Sequence, residues 1–168
     1  MRGIYTMNQK RLALLTGLTL MTGPLINNVE WLKNTTIQEA AATQIKTNLK
    51  PTKKYPDVTK ELDVTSMQQY TSSNLFMNVT LSKFYIKDAA LDDQGQYHLL
   101  LAPIKTSDQY FLLVTKSSQI IRTGRRLTVQ GFLSGKTNIG SEQIKSGLNK
   151  KYLNKKVVSI AADNITIY

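Results

Sequence analysis

Five short segments rich in Leu, Val, Ile, Phe, Tyr and Thr constrain the fold of this chain more than any other feature. Turn-forming residues lie between them, so each segment is expected to be a separate strand. Five short strands with a basic excursion before the last one predict a mainly β domain, a small curled β-barrel. The predicted strands are Asn74–Ile86, Gln96–Ile104, Gln109–Lys116, Leu127–Ser134 and Val157–Tyr168.

The first predicted strand changes phase in its middle. Apolar residues occupy the odd positions up to Leu81, but after Ser82-Lys83 they occupy the even positions Phe84 and Ile86. One extra residue in a strand, a β-bulge, produces such a shift and bends the strand. Closure of a small barrel needs long, bent strands of this kind. We therefore predict a bulge near Ser82-Lys83, with Leu81, Phe84 and Ile86 in the core.

The second and third predicted strands are apolar on both faces, as the run Leu99-Leu100-Leu101 illustrates. A strand that is apolar on both sides is expected to be covered on its outer face. The N-terminal segment, a partner or a ligand are the three candidates for that cover. Within the basic excursion, Ile144, Leu148 and Tyr152 recur at four-residue spacing, which predicts one short helix before the last strand.

Residues 1–42 have the pattern of a signal peptide. Arg2, Lys10 and Arg11 form a basic start, and the uncharged apolar run Leu12–Ile26 follows. The run is shorter than the roughly 20 apolar residues of a transmembrane helix, so no stable transmembrane anchor is expected. Small residues at Ala40–Ala42 offer a cleavage site. A buried N-terminal helix and a retained anchor are the alternatives.

The rest of the chain divides into a linker and a domain. Residues 43–73 are rich in lysine and contain two prolines, which predicts a basic linker that starts as an extended segment. Asp63 or Thr65 is a candidate cap for a short helical turn within it. Residues 74–168 are the predicted barrel domain.

The net charge of +11 is large for 168 residues and indicates an anionic partner, such as nucleic acid, an anionic lipid surface or a wall polymer. The charge is unevenly placed, because ten basic residues and one acid, Glu142, lie between Lys116 and Lys156. The alternative is a basic surface that only serves solubility. The candidate anion-binding residues are Arg122, Arg125, Arg126, Lys136, Lys145, Lys150, Lys151, Lys155 and Lys156.

The sequence gives little support to catalysis. It contains no Cys, which excludes thiolate nucleophiles, thiolate zinc sites and disulfides. His98, the single histidine, is expected to be a structural residue in a strand. Asp88, Asp92 and Asp93 form a predicted acidic turn that lacks the residue order of a calcium loop. We predict a protein that is not an enzyme and has no cofactor and no metal.

One segment of the sequence resembles part of a known fold. Arg122-Thr-Gly124-Arg-Arg-Leu127-Thr-Val129-Gln-Gly131 resembles the fourth strand of many OB-fold domains, and the bulged first strand and following hairpin are similar in order. The chain thus looks like the small exported, anticodon-binding-like OB domains of Gram-positive bacteria. An open sheet or another small barrel is the alternative, because no helix is predicted between strands three and four.

The resemblance implies a function. OB barrels bind oligonucleotides, oligosaccharides or proteins on strands two and three, and single-strand binders stack bases on aromatic rings. The candidates for stacking are Tyr85, Tyr97, Tyr110 and Phe111, with burial in the core as their alternative. We therefore predict an exported binding module, secreted or at the cell surface, that contacts an anionic wall polymer or single-stranded nucleic acid. A protein-interaction or immunity-type factor is the alternative function, and a hydrolase that works through His98 is a third.

Overall fold

A computed structural model of the chain describes residues 43–168, apart from the side chain of Met67. The signal peptide predicted over residues 1–42 lies outside the described residues. Within residues 43–168, no helix has both the length and the apolar character needed to cross a membrane.

Six strands and two short helices make up the described part of the chain. The strands are β1 (Gln44–Ile45), β2 (Asn78–Leu91), β3 (Gln96–Ala102), β4 (Tyr110–Lys116), β5 (Arg126–Asn138) and β6 (Lys156–Ile167). The α-helices are α1 (Val58–Glu61) and α2 (Ser141–Lys145), and short 3-10 turns cover Met67–Gln69, Ser72–Asn74 and Lys150–Tyr152.

Strands β2 to β6 close into a five-stranded barrel. The pairing order is β2-β3-β4-β6-β5, and β5 pairs in turn with β2. All of these pairs are antiparallel except β4–β6, which is parallel. The predicted mainly β fold is confirmed: the domain is an OB-like small barrel with one short helix, α2, before its last strand.

The predicted bulge is present in β2. The pairing of β2 with β5 passes from Leu81 to Phe84, and Lys83 has a positive φ of 53°. Leu81, Phe84 and Ile86 are each at most 2% exposed and belong to the barrel core. The side-chain phase of the sequence therefore located the bend correctly, because an extra residue in one strand reverses the faces of all that follow.

The predicted ends of this strand are wrong. A turn occupies residues 74–77, where Phe76 has a φ of 63° and donates its N–H to the carbonyl of Leu133. At the other end, a second register shift passes over Lys87 and carries β2 through Asp88. Asp88 therefore belongs to the strand and not to the acidic turn predicted for it.

Two apolar clusters lie on opposite sides of β3 and β4. Inside the barrel, Leu99 and its neighbours form the main core. On the outer face, Leu100 and Leu112 pack with Leu148 and Tyr152 from the connection between β5 and β6. We call residues 139–155 the cover segment. The outer face is thus covered by a part of the chain that was not among the three predicted candidates.

Local contacts hold the cover segment in place. Helix α2 ends at Lys145, and Gly147, with a φ of 108°, brings the backbone so close that an added Cβ would lie 3.2 Å from the Cβ of Ala90. The N–H of Asn149 donates to the carboxylate of Asp88 over 2.8 Å. The stripe predicted for one helix is therefore divided: Ile144 lies in α2, Tyr152 in the 3-10 turn, and Leu148 in the connection between them.

Residues 43–73 pack on the barrel, and we call them the N-terminal arm. Strand β1 adds in parallel to β6, and Val58 of α1 is fully buried. The hydroxyl of Tyr55 donates to Asp163 over 2.6 Å, and that of Ser82 donates to Asp57 over 2.6 Å. The predicted boundary at residue 73 does not coincide with a break in packing.

Candidate anion-binding site

The nine predicted basic residues are exposed, and the structure divides them into two groups. Arg122, Arg125 and Arg126 lie at or just before the start of β5. The six lysines from 136 to 156 lie near the end of β5, on the cover segment and at the start of β6. A strand of 13 residues is about 40 Å long. The two groups therefore belong to opposite ends of the β5–β6 pair and do not form one site.

The loop before β5 is fixed to β2 by two backbone hydrogen bonds. The N–H of Gly124 donates to the carbonyl of Ile86, and the N–H of Ile86 donates to the carbonyl of Arg125, both over 2.9 Å. Gly124 has a φ of 90°, which glycine adopts at little cost and other residues do not. This turn sets the direction in which Arg122 and Arg125 leave the barrel.

The β2 bulge adds a further cation beside these arginines. The backbone N–H of Lys83 donates to the hydroxyl of Thr128 on β5 over 2.9 Å. Its ammonium lies 5.4 Å from the ring centroid of Tyr168, within the range of a cation–π interaction. The bulge, whose first role is to bend the strand, also turns this lysine toward the outer face of β5.

Two tyrosines complete the group. The N–H of Tyr168 donates to the carbonyl of Arg126 over 3.0 Å, and the Nε–H of Arg125 donates to the carbonyl of Tyr168. Tyr85 is paired with Arg126 across the β2–β5 ladder, and its hydroxyl lies beside Gly124. Both rings are half-buried. We call this group, Lys83, Tyr85, Arg122, Arg125, Arg126 and Tyr168, the arginine–tyrosine cluster.

No Asp or Glu side chain among residues 43–168 lies within 4.0 Å of a cationic group of the cluster, and Arg125 donates to the main-chain oxygen of Tyr168, the last residue of the sequence. Among residues 43–168, the one ion pair within 4.0 Å joins His98 and Asp92, which lie elsewhere in the barrel. Basic residues grouped in one region without counter-ions repel one another, and an anionic ligand relieves that repulsion. Guanidinium groups also match the oxygen geometry of phosphate with two parallel hydrogen bonds. The cluster is therefore chemically suited to phosphate groups.

The lysine group is arranged differently. The ammonium of Lys136 lies 5.9 Å from the ring centroid of Tyr70, and that of Lys151 lies 4.9 Å from that of Tyr152. Both rings are buried in the fold, so these lysines pack over the domain's own aromatic residues. The remaining members of this group are exposed: Lys145, Lys150, Lys155 and Lys156.

Three of the four stacking candidates lie in the cores. Tyr97 belongs to the barrel core, and Phe111 makes an edge-on contact there with Phe84, with ring centroids 5.5 Å apart. Tyr110 lies in the outer cluster, where burial raises the pKa of its hydroxyl. A base cannot reach the faces of these three rings in the folded domain. Tyr85 is the candidate whose ring is half-buried and beside the arginines.

Sequence reasoning missed two members of the cluster, Lys83 and Tyr168. Lys83 had a usable signal, because it stands at the predicted bulge, where a side chain is redirected. Tyr168 had none. Its contact with Lys83 joins residues 85 positions apart, and only closure of the barrel brings them together.

The face that OB barrels commonly use for ligands is occupied in this domain. That face corresponds to strands two and three of the barrel, here the outer sides of β3 and β4. The cover segment buries it, with Leu148 and Tyr152 at most 5% exposed. The outer sides of β3 and β4 are therefore not accessible in the folded domain.

His98 and Asp92 form the one side-chain ion pair within 4.0 Å among residues 43–168. His98 Nε2 lies 2.9 Å from Asp92 Oδ2, and the other ring nitrogen is buried without a partner. Partial burial opposes ionisation of Asp92, but hydrogen bonds from the N–H of Gln96, from His98 and from the N–H of Gln94 outweigh it and lower the pKa of the carboxyl. The contact ties β3 to the turn before it. Among the described residues, no three His, Cys, Asp or Glu side chains are grouped as metal ligands.

Comparison of the chain with models of protein families, with curated proteins and with solved structures found no match.

Proposed function

We propose that the chain is an exported binding module whose arginine–tyrosine cluster contacts a phosphodiester polymer. Single-stranded nucleic acid and a poly(glycerol phosphate) wall polymer share this chemistry. The observation that carries the proposal is that four basic residues, none with an Asp or Glu partner within 4.0 Å among residues 43–168, stand at the β2 bulge and at the start of β5, beside two half-buried tyrosine rings. Phosphate groups would lie against the arginines, and the tyrosine rings would lie beside the bases or the polyol backbone.

The test is the salt dependence of binding. Binding of oligodeoxythymidylate and of poly(glycerol phosphate) is measured at several salt concentrations for the full chain and for a variant with Gln at Lys83, Arg122, Arg125 and Arg126. On a single strand each lost phosphate contact lowers the slope of log affinity against log salt by about 0.7, so loss of four contacts lowers it by about 3. Circular dichroism checks that the variant is folded.

A matched control separates site binding from bulk charge. Gln at Lys53, Lys60, Lys105 and Lys116 removes the same charge from exposed positions outside the cluster, and this variant should keep the slope of the parent. Equal losses in both variants would show that the net charge alone attracts the polymer. Loss of binding only when the lysines of the cover segment are replaced would place the site at the other end of β5. Either result overturns the proposal.

The two polymer arms distinguish the sources of the ligand. Replacement of Tyr85 with Leu should weaken binding of oligodeoxythymidylate and leave poly(glycerol phosphate) unchanged if bases stack on this ring, because only the first polymer has aromatic groups. Equal effects on both would favour contacts with the phosphodiester backbone alone.

Export is part of the proposal and has its own test. The basic start and the apolar run Leu12–Ile26 support it. Mass spectrometry of protein secreted by a Gram-positive host should give an N-terminus near Ala41–Thr43. Recovery of the intact chain from the cytosol alone would contradict export.

A further inference from the structure

An exposed apolar feature lies on the outer face of the barrel, apart from the arginine–tyrosine cluster. Phe76 is 68% exposed and Leu75 is 40% exposed. The ring of Phe76 lies against that of Phe132 on β5, with centroids 6.0 Å apart. We call Leu75, Phe76 and Phe132 the apolar knob.

The backbone holds Phe76 away from the core. Its φ of 63° lies in the left-handed region, which is unfavourable for a bulky side chain. The N–H of Phe76 donates to the carbonyl of Leu133 over 2.8 Å, and the N–H of Leu133 donates to the carbonyl of Met77 over 3.0 Å. These bonds fix the strained conformation, although the ring gains little burial from it. Strain that does not serve packing is found most often at functional sites.

The knob shares one face of β5 with basic residues. Leu127, Val129 and Leu133 point into the core, so Arg126 and Phe132 lie on the outer face. The distance between them along the strand is about 20 Å.

The N-terminal arm brings two more cations to this face. Gln130, on the outer face between Arg126 and Phe132, donates to the carbonyl of Lys50 over 2.8 Å. The backbone carbonyl of Lys46 accepts a hydrogen bond from the hydroxyl of Thr166 on β6, and the side chains of Lys46 and Lys50 are exposed. Asp163 on β6 is already bonded to the hydroxyl of Tyr55. The outer face of β5 thus combines a small apolar projection with one cation on the same strand, Arg126, and two on the N-terminal arm, Lys46 and Lys50.

We infer that this face docks on the surface of an anionic lipid bilayer. The knob would enter the boundary between headgroups and acyl chains, and Lys46, Lys50 and Arg126 would contact the headgroups. The size of the knob favours this occupant. The knob consists of two aromatic side chains of about 150–250 Å² each and one leucine, and all three are only partly exposed. Its exposed apolar area is therefore well below the area of about 800 Å² that a standard protein interface buries on each partner. A few apolar side chains beside cations are enough for interfacial binding to anionic lipid.

The test measures the fluorescence of a single tryptophan at position 76, so membrane contact by another part of the chain does not give the same signal. In a full chain with Trp31→Phe, which removes the one native tryptophan, Phe76→Trp places a fluorescent probe in the knob. Vesicles of phosphatidylglycerol and phosphatidylcholine should shift its emission to the blue, and lipid brominated in the upper acyl chain should quench it. Ile104→Trp is the matched control, because Ile104 is 60% exposed in the β3–β4 turn, and this probe should not respond.

The cations are tested on the same background. Replacing Lys46 and Lys50 with Gln should weaken partitioning of the position-76 probe by about fivefold for each lysine. Pure phosphatidylcholine should give a much weaker response.

Three results would overturn the inference. The first is equal responses from the probes at positions 76 and 104. The second is quenching that does not depend on anionic lipid. The third is a blue shift at position 76 that grows with protein concentration without lipid, because a second copy of the chain would then occupy the knob. Arg126 is the one side chain that the two proposals share. The lipid test uses Phe76, Lys46 and Lys50, which lie outside the arginine–tyrosine cluster, so failure of either proposal leaves the other standing.

Discussion

Replacement of Gly131 with Ala should destabilise the barrel more than any other small substitution in β5. Gly131 lies where β5 faces both β2 and β6, at the β6 bulge that shifts the register after Gln130. An added Cβ would lie 1.9 Å from the carbonyl oxygen of Ala161 and 2.9 Å from the Cα of Ala162. Both contacts are with backbone, so no side-chain rotation relieves them.

The magnitude follows from this geometry. Cβ atoms essentially never approach other heavy atoms within 3.0 Å, so the two strands must separate by about 1 Å at this point. Overpacking typically costs about 1–3 kcal/mol, and each weakened backbone hydrogen bond adds about 1 kcal/mol. We expect Gly131→Ala to lower the free energy of unfolding by about 3–5 kcal/mol.

Urea denaturation of the full chain, followed by circular dichroism, measures this loss. Gly140→Ala is the control, because the nearest atom to its added Cβ is the end of the flexible Gln143 side chain, at 3.4 Å. We expect that change to cost less than about 1 kcal/mol. A loss below about 1 kcal/mol at Gly131 would refute the close approach of β5 and β6 and the curvature that it gives the barrel.

Three further predictions concern stability. Truncation of Leu81 or Phe84 to Ala should cost about 2–5 kcal/mol in urea denaturation, whereas losses below about 0.5 kcal/mol at both would contradict the bulge. Burial raises the pKa of Asp57, but hydrogen bonds from Ser82 and the first turn of α1 outweigh this and leave the pKa below its usual value. The ionised Asp57 carboxylate therefore stabilises the folded state above the unfolded pKa of about 3.9, and this stabilisation is lost as the pH falls through the lower pKa of the folded state. Asp57→Asn should reduce the loss of stability in acid. An unchanged dependence of stability on pH would contradict this role of Asp57. Tyr152→Ala should cost about 3–5 kcal/mol by uncovering the outer face while the salt slope of polymer binding stays unchanged; a fully stable variant would show that the cover segment is dispensable.

Local side-chain periodicity was enough to determine the strands and the bend of the first one. Alternation with a period of two follows from the geometry of a single strand, so it can be read without knowledge of any neighbour. The change of phase between Leu81 and Phe84 is a local signal of the same kind, and the structure places both residues in the core. The five strands of a closed OB-like barrel and the short helix before the last strand were also predicted correctly.

Side-chain periodicity did not predict where β2 begins and ends. The apolar character of Leu75 and Phe76 continues the strand pattern, but both side chains are exposed. Their conformation is set by hydrogen bonding to Leu133, which lies 57 residues further along the chain from Phe76. A periodic pattern reports that a residue is apolar and does not report whether a partner surface exists to bury it.

Only the tertiary structure decided which residues became neighbours. The sequence showed that β3 and β4 are apolar on both faces, yet it could not identify the cover segment, because any apolar surface satisfies that requirement. It grouped nine cations by their proximity in the chain, whereas the long β5 strand separates them and barrel closure instead joins Lys83 to Tyr168. Contacts between distant residues depend on how strands pair and curve around a shared core, and local preferences do not encode that arrangement residue by residue.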